Sequence, residues 1–137
     1  MNVWIALAAD AHIHHDRART YWRTEGARTA ALYFCRLTML GFLRLLTQPK
    51  VMGRFACAPG EAIDRYMALL ALPEVEFANE PPGCEEVFLA YGRAPRFPSR
   101  LWTDAYLAAF ALSFGLRLVT FDADFARFEG LDVLRLE

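Results

Sequence analysis

The stretch LWTDAYLAAFALSFGLRLVTFDADF, residues 101–125, decides the fold of this 137-residue chain. Its pattern predicts a helix that has Ser99 as N-cap, runs to about Phe114 and stops at Gly115. The apolar run LRLVTF, residues 116–121, predicts a buried strand directly after it. Because one short turn joins the two elements, we expect the start of the helix and the end of the strand to lie at the same end of the domain.

Three carboxylates meet at that end in this arrangement. Asp122 and Asp124 follow the strand, and Asp104 lies in the first turn of the helix. Sites in open α/β sheets gather outside the carboxyl ends of strands. Converging carboxylates repel one another unless a divalent cation neutralises them, and Mg²⁺ or Mn²⁺ suits hard oxygen ligands. The spacing is therefore compatible with metal-assisted phosphodiester hydrolysis. The alternative is structural, with Asp104 compensating the helix dipole and the other two acting as turn residues.

Elsewhere, short apolar runs alternate with helical patterns, which predicts a parallel sheet covered by helices in an α/β sandwich. Strands are predicted at Asn2–Ala8, at residues 29–35, in VEFANEPPG and at residues 131–136. Helical spacing marks one apolar face before Pro49 and another after the Pro59-Gly60-Glu61 start. The members of these two faces are Met39, Phe42, Leu43 and Leu46, and then Ile63, Tyr66, Met67 and Leu70.

The composition excludes several classes of protein. A hydrophobic fraction of 55% excludes a disordered chain, and a net charge of -1 excludes binding of nucleic acid by bulk positive charge. Three cysteines without a CxxC pair favour a reducing, cytoplasmic location. The apolar N-terminus lacks a basic region and is interrupted at Asp10, so neither a signal peptide nor a membrane span is predicted.

The stretch of residues 101–125 resembles the C-terminal motif block of PIN-domain nucleases, most closely that of VapC-type toxins of bacterial toxin–antitoxin pairs. In that family an Asp early in a helix is followed by an Ala-rich helix, a Gly, a strand and T-F-D-x-D-F. The opening N-V-W-I-A-L, with H-x-H-H and a Trp-containing helix, is similar to the family's first strand and helix. FCRLTMLGFLRLLTQPKVMG is similar to its second strand and helix, so the resemblance covers nearly the whole chain.

The resemblance implies a single PIN domain over residues 1–137, a three-layer α/β/α sandwich with a four- to five-stranded, mainly parallel sheet. It implies a Mg²⁺ (or Mn²⁺)-dependent endoribonuclease toxin that cleaves RNA, forms a homodimer and is neutralised by a cognate antitoxin. Carried over residue by residue, Asp104 and Asp122 match two metal-binding, catalytic acids of the family, and Asp124 matches a more variable acid beside them.

Two departures from the family pattern support other hypotheses. The family's first acid lies two residues before the Asn that Asn2 matches, so its position would precede Met1, and we expect the natural start to lie upstream. The Glu of many relatives is replaced by Met39 or Gly41. One alternative is therefore a catalytically weak or inactive PIN-like module that binds antitoxin or RNA. Independently of these departures, a third hypothesis is a PIN-like nuclease that acts on structured or single-stranded DNA.

Further polar side chains are candidates for contact with substrate or metal. Four are predicted to bind substrate: Asn2, Thr38, Arg44 and Thr120. The alternative is helix and strand packing for the threonines and a snorkelling side chain on the helix flank for Arg44. A basic group beside the Asp104 helix is a candidate for RNA phosphate contact or a solvated loop: Arg93, Arg96 and Arg100. The HxHH cluster is a candidate metal site or, as the favoured interpretation, the polar start of a helix: His12, His14 and His15.

Overall fold

The computed structural model describes residues 2–26 and 31–137. The chain divides into two compact units, Met1–Asn79 and Glu80–Glu137. Every described strand pairs with a parallel neighbour in its own unit, which confirms the predicted α/β class and parallel pairing. In the described part of the chain, no helix is long and apolar enough to cross a membrane. All three cysteines are buried and free.

The first unit contains five α-helices and two strands among its described residues. They are α1 (Asn2–Ala8), α2 (His15–Tyr21), β1 (Leu32–Phe34), α3 (Arg36–Leu46), α4 (Pro49–Met52), α5 (Pro59–Leu70) and β2 (Val75–Phe77). A π-helical turn at Trp22–Gly26 extends α2, and a 3-10 turn at Gly53–Phe55 follows α4. β1 pairs with β2 in parallel, with Leu32 opposite Val75, because α3 to α5 supply the long crossover that parallel strands require. Of the strand predicted at residues 29–35, Thr29 and Ala30 lie outside the described residues.

Phe34 lies at the centre of the first unit's core. Its ring is fully buried and stacks on Trp4 of α1, with ring centroids 4.0 Å apart. Phe42 of α3 and Tyr66 of α5 meet it edge-on, at 5.7 and 5.0 Å. One side chain of β1 therefore holds three helices together, and edge-on aromatic contacts add to the effect of burial.

The predicted strand at Asn2–Ala8 is wrong, because these residues form α1. Val3, Trp4, Ile5 and Ala6 are all buried, as a run that is apolar on every side requires. A short run of this kind does not distinguish a strand buried on both faces from a buried helix. The helix satisfies its own backbone groups, as where the Ala9 N–H donates to the Ile5 carbonyl at 3.0 Å, and so needs no partner strand.

The face of α5 that turns inward matches the predicted one in part, because Tyr66 and Leu70 of the predicted face pack in the core. Ala62 and Tyr66 are buried, whereas Ile63 and Met67 are half exposed. Both faces of this helix carry apolar side chains, so spacing alone did not decide between them. The small Ala62 lets the helix approach the core closely while Tyr66 reaches Phe34.

The second unit carries the segment that decides the fold. Its elements are α6 (Cys84–Gly92), α7 (Trp102–Phe114), β3 (Leu118–Thr120) and β4 (Val133–Arg135). Ser99–Leu101 forms a 3-10 turn, so α7 begins three residues after the predicted N-cap, and a second 3-10 turn spans Ala123–Arg127. β4 pairs with β3 in parallel, which confirms a strand in residues 131–136.

Gly115 makes the turn between α7 and β3. Its φ of 78° lies in the left-handed region that favours glycine, as in a common helix ending. The Leu116 N–H donates back to the Ala111 carbonyl at 2.8 Å and closes the helix. The predicted helix, glycine stop and strand are all confirmed.

We expect Gly92→Ala to lower the free energy of unfolding by about 1–3 kcal/mol, the usual effect of overpacking. A Cβ at Gly92 would lie 2.6 Å from Cζ3 of Trp102, whose ring also packs on Phe97. Urea denaturation followed by circular dichroism measures the change. Gly60→Ala is the matched control, because a Cβ there meets nothing within 4 Å and the expected change is below about 1 kcal/mol. Equal effects of the two substitutions would contradict the packing argument.

Candidate metal centre

Asp104, Asp122 and Asp124 form an acidic cluster in the second unit. Each offers a carboxylate oxygen, and these oxygens all lie within 4.8 Å of one another. All three side chains are partly buried. Among the residues that the structure describes, no other group of three His, Cys, Asp or Glu side chains converges in this way. The start of α7 and the end of β3 therefore meet as predicted from the sequence.

Asp122 is positioned by hydrogen bonds at the end of β3. Its N–H donates to the Thr120 hydroxyl oxygen at 3.0 Å, and Thr120 itself is buried. The Asp122 Oδ1 accepts the Asp124 N–H at 2.8 Å, which caps the 3-10 turn at Ala123–Arg127. The structural role considered for Asp122 is therefore present together with its place in the cluster. The turn directs Asp124 back toward Asp122, and the buried Phe125 anchors it.

Asp104 is positioned by the packing of α7. It lies in the first turn of that helix, where a negative charge is favourable beside the helix dipole. Leu101 before it and Ala105 after it are fully buried. These neighbours fix the start of the helix while Asp104 stays at the edge of the core, beside the end of β3.

The electrostatics of the cluster are unfavourable without a counter-charge. Burial, followed by the negative charges of Asp122 and Asp124, raises the pKa of Asp104, and Arg100 offsets part of that rise. A raised carboxyl pKa means that the charged form is disfavoured in the folded protein. The cluster therefore holds unfavourable charge that a cation would relieve.

Arg100 supplies one positive charge to this cluster. Its Nη1 donates to the Asp124 Oδ2 at 2.9 Å. The hydrogen bond and the charge of Asp124 raise the pKa of the Arg100 guanidinium. From the sequence, Arg100 is a candidate phosphate contact, and its ion pair with Asp124 was not predicted. The signal that was present is its position four residues before Asp104.

The cluster fits a divalent cation by its donor set. It offers three hard carboxylate oxygens, which suit Mg²⁺ or Mn²⁺ rather than a softer metal. The raised pKa of Asp104 adds a second observation, because crowded negative charge favours a cation over an ordinary polar surface.

The other predicted substrate-binding residues belong to the first unit. The Thr38 hydroxyl accepts the Cys35 N–H at 2.9 Å and donates to the Cys35 carbonyl, so Thr38 forms part of the cap of α3. Arg44 is exposed near the end of α3. Asn2 begins α1, and its side chain lies outside the described residues. Thr120, a predicted substrate-binding residue of the second unit, contacts a member of the acidic cluster.

The histidines open α2. His15 is its first residue, and its Nδ1–H donates to the Ala6 carbonyl at 2.7 Å, which ties α2 to α1. The His12 Nδ1 accepts the His14 N–H at 3.1 Å. These contacts support the interpretation that the three histidines are the polar start of a helix.

Comparisons with known proteins show which family the chain resembles. The PIN domain family model matches residues 1–131. The chain is 38% identical over 136 residues to Ribonuclease VapC41 of Mycobacterium tuberculosis, covering 96% of this chain and 92% of that protein. It is 39% identical over 124 residues to Ribonuclease VapC38 of the same organism, covering 90% of this chain and 82% of the relative.

A solved structure with a similar fold is the crystal structure of VapBC2 from Rickettsia felis bound to a DNA fragment from their promoter. The TM-score is 0.72 over 99% of this chain and 95% of that chain. The sequence identity is 11%, so this likeness concerns the fold. It confirms the fold class expected from the sequence.

Proposed function

This chain belongs to the PIN-domain family and is a VapC-type ribonuclease, and we propose that it is a toxin that cleaves RNA by Mg²⁺-dependent phosphodiester hydrolysis. We propose that residues 1–137 form a single PIN domain. The observation that carries it is the convergence of Asp104, Asp122 and Asp124, whose oxygens lie within 4.8 Å of one another.

In this proposal, Asp104, Asp122 and Asp124 hold the cation, and the first two are the catalytic acids. A bound Mg²⁺ or Mn²⁺ would activate a water and stabilise charge on the phosphate that is attacked. Thr120 keeps Asp122 in place through the 3.0 Å hydrogen bond from the Asp122 backbone. Thr120 is also a candidate contact for substrate. Asn2, Thr38 and Arg44 of the first unit stay separate candidates from the sequence.

The proposed partners are RNA, a cognate antitoxin protein and a second copy of the chain. The similar Rickettsia felis structure is a VapBC2 complex, which supports an antitoxin partner. Large apolar side chains that are about half exposed in the first unit support protein contacts there. They are Leu40, Val51, Phe55, Ile63 and Met67. We further propose that the protein acts in the cytoplasm, where its RNA substrate would be found.

Removal of divalent metal tests the proposed reaction. Cleavage of a labelled single-stranded RNA is expected to fall by about 100-fold or more in EDTA and to return when Mn²⁺ is added, because the metal supplies both the activated water and the compensating charge for the phosphate. A DNA of the same sequence, assayed in parallel, is expected to stay intact.

Undiminished RNA cleavage in EDTA would contradict the metal dependence. Preferred cleavage of DNA would favour the alternative nuclease. If calorimetry detects no Mn²⁺ binding and RNA stays intact, the chain is instead a binding module for antitoxin or RNA.

A further inference from the structure

Arg100 lies where it acts on the whole acidic cluster. It belongs to the 3-10 turn that leads into α7, one helical turn before Asp104. Its guanidinium contacts Asp124 directly at 2.9 Å, and carboxylate oxygens of Asp104 and Asp122 lie within 4.8 Å of one of Asp124. The arginine is thus both a partner of one carboxylate and a counter-charge for its neighbours.

Arg100 and a divalent cation would compete for the negative charge of the acidic cluster. When ionised, Asp104, Asp122 and Asp124 carry three negative charges, and Arg100 supplies one positive charge, which leaves a net charge of -2. A divalent cation in the place of Arg100 would lower the net negative charge further, to -1. Arg100 and the cation would then compete for the oxygens of Asp124, and their like charges would repel each other at close range.

The ion pair between Arg100 and Asp124 is exposed enough for a cation to replace the arginine. The side chain of Arg100 is 66% exposed and that of Asp124 is 40% exposed. Exposed ion pairs contribute little to stability, so releasing this one has little effect on the fold. A guanidinium that leaves a carboxylate keeps five N–H donors in a planar fork, an arrangement that matches the oxygens of a phosphate.

We propose that Arg100 acts as an exchangeable counter-ion, pairing with Asp124 when the cluster holds no divalent cation and pairing with an RNA phosphate when the cation takes that carboxylate. This role rests on the proposed function, because it needs both a metal at the cluster and an RNA substrate. It makes metal binding and substrate binding mutually supportive.

The test is Arg100→Met, which keeps the aliphatic stem and removes the charge. Calorimetric titration with Mn²⁺ alone is expected to show binding about twofold to fivefold tighter than in the wild type, since a competing charge is gone. Steady-state cleavage of a single-stranded RNA at saturating Mn²⁺ is expected to show a KM raised about threefold to tenfold, with a smaller change in kcat. The two effects have opposite directions, and a merely structural role would not produce both.

Two further variants complete the experiment. Arg100→Lys keeps the charge and is expected to restore Mn²⁺ affinity to near the wild-type value and part of the KM. Arg117→Met is the matched control, because Arg117 forms a similarly exposed ion pair with Asp132 at 3.1 Å. Arg117 precedes β3 rather than following it, and its loss is expected to leave both Mn²⁺ affinity and KM unchanged.

Weaker or unchanged Mn²⁺ binding by Arg100→Met, in a variant whose circular dichroism spectrum is that of the wild type, would overturn the exchange. An unchanged KM would overturn the phosphate contact. Failure of the proposed function looks different, because the wild type itself would then neither bind Mn²⁺ nor cleave RNA.

Discussion

Asp122→Asn and Asp104→Asn are each expected to lower RNA cleavage by on the order of 100-fold or more, because each removes a charged ligand from the proposed metal centre. The size and shape of the side chain change little in these variants. Asparagine is a good cap residue, so the amide oxygen that Asp122→Asn introduces still accepts the Asp124 N–H, which the carboxylate accepts at 2.8 Å in the wild type. Cleavage of labelled RNA in Mn²⁺ and growth inhibition on expression both measure the loss.

Stability distinguishes a lost ligand from a damaged fold. Burial and neighbouring carboxylates raise the pKa of Asp104, so its charged form is disfavoured in the folded protein at neutral pH. The neutral asparagine side chain removes that penalty. Without added metal, Asp104→Asn is therefore expected to unfold at an equal or higher urea concentration than the wild type, while its activity is lost.

Asp132→Asn is the matched control for both variants. Asp132 lies in the same unit and pairs with Arg117, outside the acidic cluster. Its loss is expected to leave cleavage within about twofold of the wild type, as for most exposed ion pairs. Cleavage at the wild-type rate by Asp104→Asn and Asp122→Asn would show that the cluster is not the site of the reaction.

Phe34→Ala is expected to lower the free energy of unfolding by about 3–5 kcal/mol, the usual result of removing a buried phenyl ring. The ring is fully buried and contacts Trp4, Phe42 and Tyr66, so three helices lose their common partner. Urea denaturation followed by tryptophan fluorescence measures the change, and Trp4 reports it directly because it stacks on Phe34 at 4.0 Å.

Phe34→Leu keeps the measurement possible if the alanine variant does not fold, because a smaller loss is expected from a residue that stays large and apolar. Phe55→Ala is the control, since Phe55 is half exposed and the expected change is within about 1 kcal/mol. A loss below about 1 kcal/mol for Phe34→Ala would show that the aromatic cluster does not hold the first unit together.

Elements that depend on local signals could be predicted from the sequence. The helix of residues 102–114, its glycine stop and the strand that follows all occur as expected, because helical spacing and a left-handed glycine act within a few residues. The strand in residues 131–136 follows from alternation in the same way. The three aspartates of the cluster were identified by their positions at the ends of these elements.

Elements that depend on distant partners could not be predicted in this way. Asn2–Ala8 is apolar on every side, and only its packing against Phe34 and its self-satisfied backbone make it a helix. The inner face of α5 is chosen by the fit of Ala62 and Tyr66 to the core, although Ile63 and Met67 are also apolar. Propensity is a weak guide where tertiary packing decides.

The order of the elements in the second unit, the family of the chain and the three carboxylates of the proposed centre follow from the amino-acid sequence. The approach of their oxygens to within 4.8 Å of one another and the pairing of Arg100 with Asp124 depend on the folded chain. The physical reason is the separation along the chain over which each interaction acts. Hydrogen bonds and backbone conformation act between near neighbours in the chain, whereas burial and charge act between side chains that only the completed fold brings together.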